Sequence, residues 1–425
     1  MNILFDILLI IFSSIIFYKS YKKIIFEKNC LISNYLNIII YVFCVIPIAL
    51  NYLIGIPNYR TIYWYKPFIG PMQNENVSII YDVYVFFTMF LLHALLSRKK
   101  NNIELKNENT LTSLFSNNKI IAILLITSPI LLMVVSGTLK NYLIFNVASN
   151  RGFSESTSNS FMTPCLLISL LIYFSVSFKN NITFKKIMLS FIYFFVIVWI
   201  SGKRFMIANI ILLFIFYVVN MNFDLKKRKR IFRIIPIFGI FLLLFSVFYL
   251  TKIRPMQETS PESVYDMLRV DFGRDDVIKY VIYEDTMKGN KILDYRGQSF
   301  LSLIGSFVPR KLWKSKPYPH YMYLTSSILN LSIFKLPAGT TPSFLEMVIC
   351  NCGIFGYFLC SFILLFLCCI ADKIKDIDNK AISLLLFTVL LTQSMDVYLI
   401  IIVMLFLAQF FGFFFKHKSI KFVWR

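Results

Sequence analysis

Long apolar runs alternate with short charged ones along the whole chain. Apolar residues dominate eleven blocks, approximately 3–18, 36–56, 77–96, 120–139, 161–178, 187–201, 205–221, 231–251, 344–371, 381–394 and 397–415. Blocks near twenty residues match a hydrocarbon core of about 30 Å at 1.5 Å per residue. Inside lipid every backbone polar group needs an internal partner, which leaves helices or closed barrels. These blocks lack the period-2 alternation of barrel strands. The pattern predicts an all-α fold, a polytopic helical membrane protein with about eleven transmembrane helices.

Two boundaries rest on short polar breaks. The apolar run from Ile187 to Met221 is interrupted only by Ser201-Gly202-Lys203-Arg204, and two charges at mid-bilayer would be costly. The run 381–415 is similarly broken between Gln393 and Asp396. Counting both breaks as turns sorts the connections by charge. Segments 18–35, 97–119, 179–186, 222–233 and 372–380, with the tail from Lys416, carry 25 Lys and Arg. Segments 57–76, 140–160 and 201–204 carry 6. That asymmetry predicts an outside N-terminus and a cytoplasmic C-terminus. Chain order then gives 1–251 with transmembrane helices 1–8, one large outer-face loop over 252–343, and 344–425 with helices 9–11 and a basic tail. The first block lacks a basic leader and a small-residue cleavage site, so it reads as a retained span.

Composition agrees: 57% hydrophobic residues and 16% charged. The net charge of +22 lies in connections and at span ends, which fits membrane topology and membrane lipids rather than nucleic acid. Most cysteines, including Cys44, Cys165, Cys360, Cys368 and Cys369, fall in apolar blocks, so no disulfide framework is expected. Cys350 and Cys352 sit two apart on a predicted helix and face different ways. With His93, His320 and His417 the only histidines, no metal site and no cofactor is expected.

The outer loop divides by charge. Residues 252–289 hold 6 basic and 8 acidic residues, with a helix start at Ser260-Pro261-Glu262 and a stop at Gly289. Residues 290–342 hold 7 basic residues against Asp294 alone. There the apolar stretch 299–308 is too short to span and reads as re-entrant or interfacial. It runs into Pro309-Arg310-Lys311-Leu312-Trp313-Lys314-Ser315-Lys316-Pro317, a composition suited to an anionic lipid headgroup. Lys203 and Arg204 would stand near a helix N-terminus, where an anion is favoured, or would simply snorkel. Arg151 is a further outer-face cation. Glu346 enters the ninth span after Gly339-Thr340-Thr341-Pro342-Ser343, a position open to a functional role or to a helix-dipole role. His320 is the outer-face histidine, a candidate base or donor. Asp376-Ile377-Asp378 has D-x-D form but falls in a short cytoplasmic connection, and reads as chance.

The order of SGKR at a span junction, GQSFLSLIGSFVPRKLWKSKP in the outer loop and AGTTPSFLEMVICNCGIFG opening the next span resembles the bacterial oligosaccharide repeat-unit polymerases. These are the Wzy or O-antigen polymerase-like proteins, and the resemblance covers roughly residues 196–370. It implies a metal-independent glycosyltransferase on the outer face of the cytoplasmic membrane, using polyprenyl-pyrophosphate-linked oligosaccharides. A chain-length regulator and a flippase are the expected partners. Under this resemblance Lys203, Arg204, Arg310, Lys316 and Arg151 bind substrate pyrophosphate, while Glu346, or secondarily His320, accepts a proton. The alternatives are an O-antigen ligase, whose His-Asn/Ser-x-x-Leu signature is matched here only at His320 and Leu324, and a flippase of the lipid-linked unit.

Overall fold

A computed structural model describes residues 2–27, 31–60, 62–95, 118–137, 139, 156–178, 184–201, 205–220, 260–336, 339–394, 398–399 and 401–403. The eighth apolar block, most of the eleventh, and the candidates Arg151, Lys203 and Arg204 lie outside the described residues. Within them the chain is helical, with no strand. Among the described residues four helices are long and apolar enough to cross a membrane: Ile3–Phe26, Ile32–Leu53, Glu75–Leu95 and Phe355–Lys373. Shorter apolar helices accompany them. Two compact units are formed. One contains Met1–Lys100, Pro255–Ile370 and Phe387–Leu399; the other contains Asn101–Arg254, Ala371–Leu386 and Ile400–Arg425.

In the first unit, α1 (Asn2–Phe26) and α3 (Glu75–Leu95) run parallel, with the rings of Phe12 and Phe86 5.8 Å apart and Asp6 beside Asp82. The buried stripe of α1 includes Asp6, Ser13 and Ser20, spaced by sevens, whereas Ile3, Ile7, Ile11 and Ile15 are exposed. Polar inside and apolar outside is the arrangement a helix needs when its surroundings are hydrocarbon. Helix α2 (Ile32–Leu53) returns antiparallel, tied to α1 by a Tyr52 hydroxyl donating to Asp6 and by Ser14 with Tyr41 at 2.9 Å.

Midway, α2 widens into a π-turn over Tyr41–Val45. Pro47 lies four residues past Phe43 and has no N–H to offer its carbonyl. The Phe43 oxygen instead accepts the main-chain N–H of Arg274 at 3.0 Å.

That donor comes from the predicted outer loop. In its acidic half the helix start falls at Ser260, whose side chain accepts the Ser263 N–H (3.1 Å) to cap α8 (Pro261–Phe272). Instead of continuing to Gly289, the helix stops at Gly273, where a Cβ would meet the Arg269 carbonyl at 2.6 Å. Then α9 (Asp275–Val281) begins, and all seven of its residues are buried. Its charged side chains find partners inside the unit. Arg269 pairs with Asp275 at 2.8 Å, Tyr59 donates to Asp276 at 3.0 Å, and Lys279 donates to Ser78 on α3 at 3.0 Å.

Further on come α10 (Gln298–Ile304) and α11 (His320–Leu329). The apolar block 344–371, expected as one span, is two helices, α12 (Phe344–Cys352) and α13 (Phe355–Lys373). Gly353 separates them with φ +61° and ψ −139°, a conformation reserved for glycine. At Gly356 a Cβ would lie 2.7 Å from the Ile349 Cα, so its hydrogen lets the two helices close on each other.

The second unit is held by polar contacts between apolar helices. They are α4 (Lys119–Val135), α5 (Ser156–Phe178), α6 (Phe184–Ser201) and α7 (Phe205–Asn220). The end of α6 at Ser201 and the start of α7 at Phe205 fall at the break expected from the sequence. Ser169 donates to the Ile126 carbonyl at 2.6 Å, and the Tyr173 and Tyr193 rings stack at 3.9 Å. Asp376 accepts the Asn379 N–H (2.9 Å) in the first turn of α14 (Ile377–Thr392). The buried Asp378 accepts the hydroxyls of Ser175 (3.0 Å) and Tyr217 (2.9 Å).

Candidate functional site

Four of the sequence-derived candidates fall in the first unit, on or beside α10, α11 and α12. The basic loop follows α10 and folds back on it. Lys316 reaches the end of that helix and donates to the carbonyls of Ser306 and Val308, each at 3.1 Å. Arg310 donates to the carbonyls of Lys316 (2.9 Å) and Pro317 (3.4 Å), and its guanidinium lies 3.9 Å over the Tyr318 ring. The two cations therefore sit together, each pinned by backbone oxygens. Partial burial and the neighbouring Arg310 charge push the Lys316 ammonium below its ordinary pKa. Trp313 packs against Gly305, where a Cβ would approach its ring to 2.5 Å.

The outward face of this loop is mixed. Arg310, Lys311 and Lys314 are exposed, as are Leu301, Ile304 (74%) and Leu312 (81%). Cations next to exposed aliphatic side chains form a surface that can take an anionic headgroup and its hydrocarbon at once.

Beneath the loop lies a buried polar network. Gln298 donates to Tyr323 (2.7 Å) and to Asp294 (2.8 Å), and Tyr323 in turn accepts the Tyr318 N–H at 3.2 Å. The Ser299 N–H donates to Asn351 (3.0 Å), whose amide donates to the Met347 carbonyl at 2.7 Å. Ser299 Oγ pairs with His320 Nδ1 at 2.9 Å, while the buried Nε2 has no protein partner. Burial pushes the His320 imidazolium down to about 3, so the ring is neutral near pH 7. A neutral imidazole serves there as a hydrogen-bonding group rather than as a cation. Alongside, Arg296 donates to Asp285 and to the Cys350 carbonyl, both at 2.7 Å.

Glu346 is fully buried in the first turn of α12. Its carboxylate accepts both the N–H and the hydroxyl of Ser343, completing a reciprocal capping box. His320 and Glu346 are thus joined only indirectly, through Ser299, Asn351 and the backbone of α12.

Sequence reasoning passed over Gln298, Ser299, Asn351 and Arg296. The available signal was polar residues inside apolar runs, each of which needs an internal partner once buried. It also passed over the Arg269–Asp275 pair and Arg274, whose guanidinium donates to the carbonyls of Gly273 (2.8 Å) and Thr392 (3.0 Å). Among the described residues no three His, Cys, Asp or Glu side chains come together as a metal site. No protein-family model, characterised protein or solved structure matches this chain.

Proposed function

We propose that this protein is an oligosaccharide repeat-unit polymerase of the bacterial cytoplasmic membrane. It would cross the bilayer about eleven times, with its N-terminus outside and its C-terminus in the cytoplasm. The observation carrying the reading is the loop of Arg310 and Lys316. Two adjoining, geometrically fixed cations border exposed aliphatic side chains, a combination that fits a pyrophosphate bearing a polyprenyl tail. Lys203, Arg204 and Arg151 enter the reading through the sequence alone.

In the reaction, a sugar hydroxyl oxygen of one lipid-linked unit attacks the anomeric carbon of the chain carried by another. A glycosidic bond forms and the bond from that carbon to the pyrophosphate oxygen breaks. Negative charge grows on the departing pyrophosphate, where preorganised Arg and Lys donors favour the transition state. The hydroxyl proton passes to a carboxylate, for which Glu346 is the candidate; the burial that keeps His320 neutral disfavours it as the proton acceptor.

The test is reconstitution of the purified protein with lipid-linked repeat units. Elongation of the wild type, and its loss in Arg310→Glu with single units left intact, supports the reading. Transfer to a foreign acceptor indicates a ligase, and movement across the bilayer without a new bond indicates a flippase. Reporter fusions at Asn222 and Asn290 should localise to cytoplasm and exterior respectively; the reverse result sinks the topology.

A further inference from the structure

A groove of about 470 Å³ opens between α1 and α3. Its volume lies within the roughly 300–1,000 Å³ of small-ligand sites. The two ends of the groove differ in chemistry. Phe12, Ile15, Phe86 and Phe90 line the apolar part, and Phe12, Ile15 and Phe90 stay close to half exposed. Lys19, Lys23 and His93 line the other part, and no acidic residue is among the lining side chains.

Length decides what fits. From Phe12 to Lys23 the rise along α1 is about 16 Å. That is the depth of one leaflet, half of a hydrocarbon core of about 30 Å. The basic end belongs to the segment that the charge asymmetry assigns to the cytoplasm. Basic pockets between transmembrane helices on that side suit phospholipid headgroups.

We propose that this groove is a binding site for an anionic glycerophospholipid of the cytoplasmic leaflet. One acyl chain lies along Phe12, Ile15, Phe86 and Phe90, and the headgroup phosphate meets Lys19, Lys23 and His93. The site rests on the bilayer placement of α1 and α3, and not on the polymerase chemistry.

The experiment uses the full chain in vesicles of equal phosphatidylglycerol and phosphatidylcholine. Either lipid carries a photoreactive acyl group in turn, and labelled peptides are mapped. The lipid-facing side of α13, with Phe358 and Phe362 exposed, serves as the bulk reference. The phosphatidylglycerol-to-phosphatidylcholine labelling ratio at α1 and α3 should exceed that at α13 by roughly tenfold. Lys19→Gln with Lys23→Gln should bring it down to the α13 value, and Ile15→Trp should suppress labelling by both lipids. Equal ratios at the groove and at α13 in the wild type overturn the site, whatever the variants do. Alkaline extraction of the wild type into the soluble fraction overturns the bilayer placement itself, and the site with it.

Discussion

The main-chain N–H of Arg274 donates to the carbonyl oxygen of Phe43 at 3.0 Å. Pro47 removes the ordinary donor for that oxygen, and a residue far along the chain supplies another. The Arg274 guanidinium then binds the Gly273 and Thr392 carbonyls. Arg274→Ala keeps the main-chain bond but removes the donor to the Gly273 oxygen and leaves the Thr392 oxygen to the Gln393 amide alone (2.7 Å), and should cost about 1–3 kcal/mol. Thermal unfolding in detergent measures it, and an unchanged midpoint would show the side chain to be dispensable.

Arg269 and Asp275 form a pair with side chains 2% and 0% exposed. Breaking one side leaves a buried charge alone, so Arg269→Met should destabilise by about 3–5 kcal/mol. Replacing both, Arg269→Met with Asp275→Leu, should recover much of that loss. A double variant as unstable as the sum of the singles would mean that the two side chains act separately.

His320 gives a pH signature with a defined sign. Its pKa falls from 6.5 to about 3 on burial, so the unfolded chain binds the proton more readily. The contribution to stability is complete above pH 6.5 and is lost as pH falls from there toward 3. His320→Gln should lose less stability than the wild type between pH 7 and pH 5. Parallel melting curves for the two proteins across that range would contradict the buried, neutral ring.

Glu346 holds the Ser343 cap, and the proposed reaction also asks it for a proton. Glutamine keeps the capping geometry but cannot act as a base. Glu346→Gln should therefore fold normally and polymerise at a rate reduced by about 10²-fold or more. Wild-type polymer length and rate in that variant would confine Glu346 to capping.

Local features were legible in the sequence. Ser260-Pro261 marks a helix start, and the SGKR break separates α6 from α7, whereas Glu346 was read as a functional or helix-dipole acid and the structure shows it closing a capping box with Ser343. Each is decided by neighbours within a turn or two. The loop Arg310–Lys316 was legible as a composition, and its fold added the carbonyls that fix it. What the sequence did not reveal was pairing over long separations. Asp276 meets Tyr59 across 217 residues, and Lys279 meets Ser78 across 201. A segment with nearly balanced charge reads as solvated loop until its partners are known. Gly353 was visible too, but only its φ and ψ show that α12 and α13 part there.

The Phe43–Arg274 bond also sets an order of events during synthesis. Helices α1, α2 and α3 are complete at Leu95, about 180 residues before Arg274 leaves the ribosome. At 5–20 residues per second that interval lasts roughly 10–35 seconds. Throughout it, the oxygen whose ordinary donor Pro47 removes also lacks the Arg274 N–H that holds it in the complete chain. A truncated chain ending before residue 260 should therefore be a preferred substrate for membrane proteases, although every residue of its first three helices is present.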